Sequence, residues 1–262
     1  MINIEKQLEQ TDIQKYLRTD HPLVREFEFI STNAQRSTSK HADIWEYGEA
    51  PYHFAIGIHL KPGVTYWQQR DERGDRIEPV KRVTTGTELV GQGNRVLLVK
   101  DGEICAENST FFPDQRYNDL GIGSAFYVAQ ERLYRALGVR YVRLFAAAVG
   151  RYVWARQGFK FVQTDQARSL GTTFRAFLRA CDIPANGQFR ESWDLVNYHV
   201  SGAERDGDRI GKFFALKTFP CWEGFTYLDE QDHRKVAIAS REETFSRLPE
   251  KIVGAPDYLV TI

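Results

Sequence analysis

The chain has 262 residues, of which 42% are hydrophobic and 13% aromatic, enough apolar content to bury a sizeable core and too much for a disordered segment. Its 35 basic and 35 acidic residues cancel, which argues against a nucleic-acid binder that must neutralise phosphates. Cys105, Cys181 and Cys221 form an odd, widely spaced set without a CxxC pair, and the polar start MINIEKQLEQ lacks the apolar core of a signal peptide, so reduced thiols, a cytoplasmic location and no membrane partner are expected.

In chain order, NIEKQLEQTDIQKYL spaces Ile4, Leu8, Ile13 and Leu17 along a loose helical stripe that His21-Pro22 closes, which predicts one short peripheral helix. From Tyr52 to Phe112 the pattern changes to short apolar runs broken by turn residues: YHFAIGIHL, VTYWQQ, RVLLV and EICAENSTFF. These predict an antiparallel meander. The charged stretch QQRDERGDRIEPVKR, with its Arg73-Gly74-Asp75 tripeptide, reads as a solvated hairpin loop. Ile122, Phe126, Ala129, Leu133 and Leu137 then fall on one face of a helix that Gly138 can end. VRYVRLFAAA predicts a buried strand, GRYVWARQ a two-turn helix ending at Gly158, and FKFV another strand. Beyond it, Leu170, Phe174, Phe177, Leu178 and Cys181 mark an amphipathic helix, FFALKTF reads as strand-like and SREETFSRL as helical.

The informative stretch is NDLGIGSAFYVAQERLYRALG, which puts Gly121 and Gly123 at the mouth of a helix. Without a Cβ, a ligand can approach the backbone closely, and the free N–H groups of a helix start, with the positive end of its dipole, favour an anion such as a pyrophosphate. A P-loop would need Gly-Lys-Ser/Thr, and a dinucleotide fingerprint a third glycine where this chain has Phe126. Neither fits.

The arrangement resembles the GNAT superfamily of N-acyltransferases, whose acyl-coenzyme A loop, Q/R-x-x-G-x-G/A, joins a strand to a long helix. Asn118-Asp119-Leu120-Gly121-Ile122-Gly123 is the matching segment, and Gly158-Phe159 matches a Gly-Phe that follows a short helix in the family. The resemblance implies an α/β (α+β) fold with a mixed, mostly antiparallel sheet splayed at the donor site and helices on both faces. It implies that 46–162 is the donor-binding core, flanked by an N-terminal helical extension (1–45) and a C-terminal α/β extension (163–262) that shapes the acceptor pocket. Asn118, Asp119, Leu120, Gly121, Ile122, Gly123 and Ser124 would hold the donor, with the backbone of Phe111 and Phe112 beside its pantetheine arm and their side chains in the core. Glu107 stands where histone-modifying members carry a general-base glutamate, fourteen residues before the first loop glycine, with Glu103 as the alternative.

Three positions depart from the family pattern. Asn118 replaces Gln or Arg, with Arg116 nearby as compensation; Trp154 replaces a frequent general-acid tyrosine, leaving Tyr152 as candidate; Ala147 replaces a common Asn. The expected activity is transfer of an acyl group from acyl-CoA, or from an acyl-carrier protein, to a primary amine of a small molecule, peptide or protein, including a long-chain acyl group onto a peptide. The aromatic residues of the C-terminal third are candidates for lining an acyl tunnel, and otherwise for core. An inactive binding or regulatory module and a tRNA-directed acetyltransferase toxin are the alternatives. The six histidines show no HxxxH or HxH spacing, so no metal is expected, although His53 and His59 share a strand face and are candidates for lining an acceptor pocket.

Overall fold

The computed structural model describes residues 3–18, 25–36, 51–70, 76–117, 120–187 and 189–228. Asn118, Asp119, the Arg73-Gly74-Asp75 tripeptide and the SREETFSRL segment lie outside the described residues. The chain has a mixed α+β fold with a mostly antiparallel sheet and helices, divided into two compact units, one running to Arg140 and one starting at Tyr141.

The first unit opens with two short helices, α1 (Ile4–Gln10) and α2 (Ile13–Leu17), where the sequence spacing predicts one. The break has a local cause. Asp12 caps α2 with its own carboxylate, accepting from the Lys15 amide at 3.2 Å, and a cap residue is non-helical by geometry. Strands β1 (Phe27–Ser31), β2 (Gln35–Arg36), β3 (Tyr52–Leu60), β6 (Glu88–Lys100) and β7 (Glu103–Pro113) make the meander, in the order β1-β3-β6-β7 with β2 also paired to β3. Each of these pairings is antiparallel.

The charged stretch expected as a loop is largely strand: β4 (Gly63–Arg70) and β5 (Arg76–Thr84) form a separate two-stranded ribbon. Pro79 is tolerated there because a ribbon has edges on both sides, where a missing N–H costs no ladder bond. One face of the main sheet is covered by α3 (Ile122–Ala136), which buries Ile122, Phe126, Ala129 and Leu133 as its spacing predicts and ends before Gly138 at φ 71°.

In the second unit, β8 (Val139–Ala146), β10 (Trp222–Tyr227) and β9 (Lys160–Phe161) pair antiparallel in that order. They are accompanied by α4 (Gly150–Arg156), α5 (Thr164–Ala180), α6 (Ser192–Val196) and α7 (Ile210–Lys217). The strand expected at FFALKTF is thus the helix α7. Its Phe214 is fully buried among Phe174, Phe177 and Phe219, with ring centroids 4.7, 5.1 and 5.8 Å away. Phe161, Phe219 and Trp222 continue the same cluster, so these aromatic side chains are core.

Docking of α7 relies on Gly211, where an added Cβ would meet the Leu195 carbonyl oxygen at 2.3 Å and the Tyr198 backbone at 2.9 Å. Backbone on both sides cannot give way cheaply. Gly211→Ala should therefore lower stability by about 1–3 kcal/mol, read as a reduced urea midpoint; an unchanged midpoint would contradict this docking.

Candidate active site

Two features of the first unit converge along β7. The first is the start of α3. Gly121 is its N-cap residue, at φ 75° and ψ 4°, a left-handed conformation that a residue with a side chain adopts only at a cost. Among the described residues no side chain caps the first turn, which starts with the amides of Ile122, Gly123 and Ser124. Among the described residues a Cβ on Gly123 would meet only Phe111 Cε1, at 3.7 Å, an ordinary contact. Leu120 and Ile122 are buried and anchor the turn from below.

The segment leading to this turn is held by Asp114 and Arg116. The Asp114 amide donates to Val90 O at 2.7 Å, its Oδ1 accepts from the Arg116 amide at 2.9 Å, and its Oδ2 accepts from Arg116 Nε and Nη2 at 2.9 and 2.5 Å. Arg116 also lies 3.8 Å from Glu88. Partial burial pushes the Asp114 carboxyl up, but the side-chain and backbone hydrogen bonds from Arg116 outweigh it and hold the group below its ordinary value.

The second feature is a groove of about 670 Å³ lined by Thr32, Gln35, His53, Asn94, Ser109 and Thr110 among others, within the usual size of ligand pockets. Cross-strand register sets one row across this face, Gln35–His53–Val96–Glu107. Glu107 is half-buried and accepts from Ser109 Oγ at 3.4 Å. Asn94 Nδ2 donates to Thr110 Oγ1 at 2.7 Å in the next row. Glu103, the alternative carboxylate, sits at the far end of β7, exposed and 3.5 Å from Arg140.

Between these two features β7 carries a β-bulge: Asn94 pairs with Thr110 and Arg95 with Asn108, so Ser109 is the extra residue. On the helix side of the bulge lies a buried polar network that sequence reasoning missed. Arg95, 1% exposed, donates from Nη1 to both Asn94 O and Thr110 O at 2.7 Å and from Nε to Gln130 Oε1 at 2.5 Å. Gln130 Nε2 and the Tyr134 hydroxyl both donate to Asn108 Oδ1, at 3.0 and 2.7 Å. The guanidinium also lies over the Phe126 ring, 5.2 Å from its centroid. Burial lowers Arg95 to a pKa of about 10, still charged at neutral pH, and the same burial raises the Tyr134 phenol. The available sequence signal was an arginine between Gly93 and an apolar run.

Phe111 packs on Phe126, with centroids 4.7 Å apart, as a core residue should. Phe112 does not: its side chain is 69% exposed, because the strand alternation turns it to the face opposite α3. The helix start, Phe111 and Glu107 are thus brought into one strand–loop–helix segment. Tyr152 belongs to the second unit, on α4, where its hydroxyl accepts from Arg156 Nη1 at 2.9 Å and Lys212 Nζ lies 5.8 Å from its ring. Trp154 packs edge-on against Phe159, and Ala147 is exposed.

Among the described residues no group of three His, Cys, Asp or Glu side chains is gathered as a metal site would need, and no helix is long and apolar enough to cross a membrane. No protein-family model matches the chain, and no curated protein matches its sequence.

The Asp114–Arg116 lock has a pH signature. A carboxylate whose folded pKa is depressed contributes stability above its unfolded pKa of about 3.9 and loses it as pH falls through the folded value. Wild type should therefore be more stable than Asp114→Asn at pH 7, with the gap in thermal midpoint closing below about pH 4. A gap that stays constant down to pH 2.5 would show that the carboxylate charge is irrelevant there.

Proposed function

We propose that the protein is an N-acyltransferase that moves an acyl group from a coenzyme A or carrier-protein thioester to a primary amine. The observation that carries the reading is the α3 start at Gly121–Ser124, which no described side chain caps, joined through Phe111 to a strand whose other face holds Glu107 beside a polar groove. Backbone amides at a helix start suit the donor's phosphates.

In this reading the chemistry is mostly positioning. The amine enters the groove as an ammonium, and Glu107, directly or through a water, takes the proton that makes it nucleophilic. Removing a proton from a lysine-like amine of pKa about 10.4 at neutral pH costs roughly 4–5 kcal/mol, which an ordered carboxylate lowers. The nitrogen lone pair attacks the thioester carbonyl, the C–S bond breaks and the thiolate leaves with the electron pair. The attacking nitrogen sheds its second proton as the amide forms, and the leaving thiolate takes it, directly or through a water. The neutral carboxamides and hydroxyls of Asn33, Gln35, Asn94, Ser109 and Thr110 fit an amine carried on a polar or peptide-like acceptor. We assign the activity to the cytoplasm, where Cys105, Cys181 and Cys221, none of them in a disulfide, would remain reduced.

Two substitutions test the assignment. Gly123→Val should fold, since among the described residues only Phe111 stands near the new side chain, yet raise the coenzyme A Kd at least tenfold in a calorimetric titration by narrowing the approach to the amides; an unchanged Kd would remove the donor site. Glu107→Gln should leave donor affinity intact while lowering kcat by about a hundredfold and flattening the acidic limb of the pH–rate profile. Wild-type turnover by Glu107→Gln would place the base elsewhere.

A further inference from the structure

The spacing between Glu107 and Phe111 contains a contradiction that a regular strand cannot resolve. Four residues apart, they would share a face, because side chains alternate with period two. Yet Phe111 packs on α3 while Glu107 shares the row of Val96 and His53 on the other face. The bulge at Ser109 supplies the one-residue offset. It keeps Asn108 with Gln130 and Tyr134 on the helix side, turns Thr110 to Asn94 on the groove side, and sends Phe111 rather than Phe112 into the core.

A bulge leaves backbone groups without regular ladder partners, and here one side chain gathers them. Arg95 Nη1 spans the two strands by donating to Asn94 O and Thr110 O, and Nε ties the guanidinium to α3 through Gln130. Space for this planar group exists only because position 93 is glycine: a Cβ there would lie 2.6, 2.7 and 2.8 Å from Nη2, Nη1 and Cζ. No carboxylate takes part in these bonds, so the guanidinium's partners are backbone carbonyls, a carboxamide and an aromatic face. That is the wiring of a clamp on the strand.

Resting on the acyltransfer reading above, we infer that Arg95 is a positioning residue of the site: it pins the Ser109 bulge and thereby sets the side on which Glu107 and Thr110 meet the acceptor. A lysine cannot do the same, since one ammonium on a flexible stem does not reproduce the planar fork that reaches both carbonyls and Gln130 at once.

The test compares the full chain as wild type, Arg95→Lys and Gly93→Ala, the last keeping the guanidinium but pushing it off its seat. Leu133→Ala, at a fully buried position of α3 whose side chain makes none of these hydrogen bonds, is the control for plain core loss. Backbone amide NMR should show altered shifts and faster hydrogen exchange concentrated at 107–112 in Arg95→Lys and Gly93→Ala, and not in Leu133→Ala. In acyl transfer, both site variants should lose about ten- to a hundredfold in kcat at unchanged coenzyme A affinity, more than Leu133→Ala compared at an equal margin below its thermal midpoint. If Arg95→Lys does not fold, Gly93→Ala carries the comparison. An undisturbed 107–112 segment in a folded site variant, or an equal kcat loss in the control, overturns the inference. A wild type that binds no coenzyme A overturns the acyltransfer reading instead, and the NMR comparison then decides alone whether Arg95 holds the bulge.

Discussion

The first unit is organised around a single buried guanidinium. Taking Arg95 out of water is costly, and burial lowers its pKa to about 10. Against this stand three charge-assisted hydrogen bonds and the face of Phe126, and bonds to charged groups contribute about 1.5–3 kcal/mol each. Nη2 is buried without a hydrogen-bond partner among the described residues, so the clamp rests on the Nε and Nη1 bonds and the aromatic face. Strands β6 and β7 and helix α3 are therefore fixed to one another at the bulge.

That fixed point links two features whose separate meaning would be slight. An uncapped helix start with a left-handed glycine is common enough, and so is a polar groove on a sheet face. Here β7 borders both. Phe111 reaches the first turn of α3, while Glu107 looks into the row shared with His53, and the parity of the strand between them is set by Ser109. Gly91 contributes in the same way as Gly93: a Cβ at Gly91 would meet Pro113 Cα at 2.7 Å and Phe112 O at 2.8 Å, so the end of β7 can approach β6 closely before turning toward the helix.

Much of this architecture was legible in the sequence. Ile122, Phe126, Ala129 and Leu133 announce α3, and the apolar runs from Tyr52 to Phe112 announce the meander, because strong periodicity survives tertiary context. The misreadings occurred where it is short. FFALKTF is an apolar run whose period cannot separate strand from helix, and the choice was made by Gly211 and Phe214 docking onto backbone and aromatic partners distant in sequence. WEGFTY alternates buried and half-buried residues as strand β10, a signal obscured by reading its aromatics only as a cluster. Asp12 divided the N-terminal helix through a cap that the hydrophobic stripe does not encode. Among the residues of the proposed site, the loop glycines stand out by spacing and Glu107 by resemblance alone. The bulge is not legible in the sequence, since an extra residue is defined only against its partner strand, and nothing in the run RVLLV marks Arg95 as buried.

The central claim is that the α3 start and the Glu107 groove are the donor and acceptor ends of one proposed acyl-transfer site. Titrating isotopically labelled protein with coenzyme A and following its backbone amides tests this most directly. The account predicts saturable shifts that include both Gly121–Ser124 and the β7 segment from Glu107 to Phe112. Shifts at the glycine turn alone, at neither segment, or confined to the second unit would contradict it.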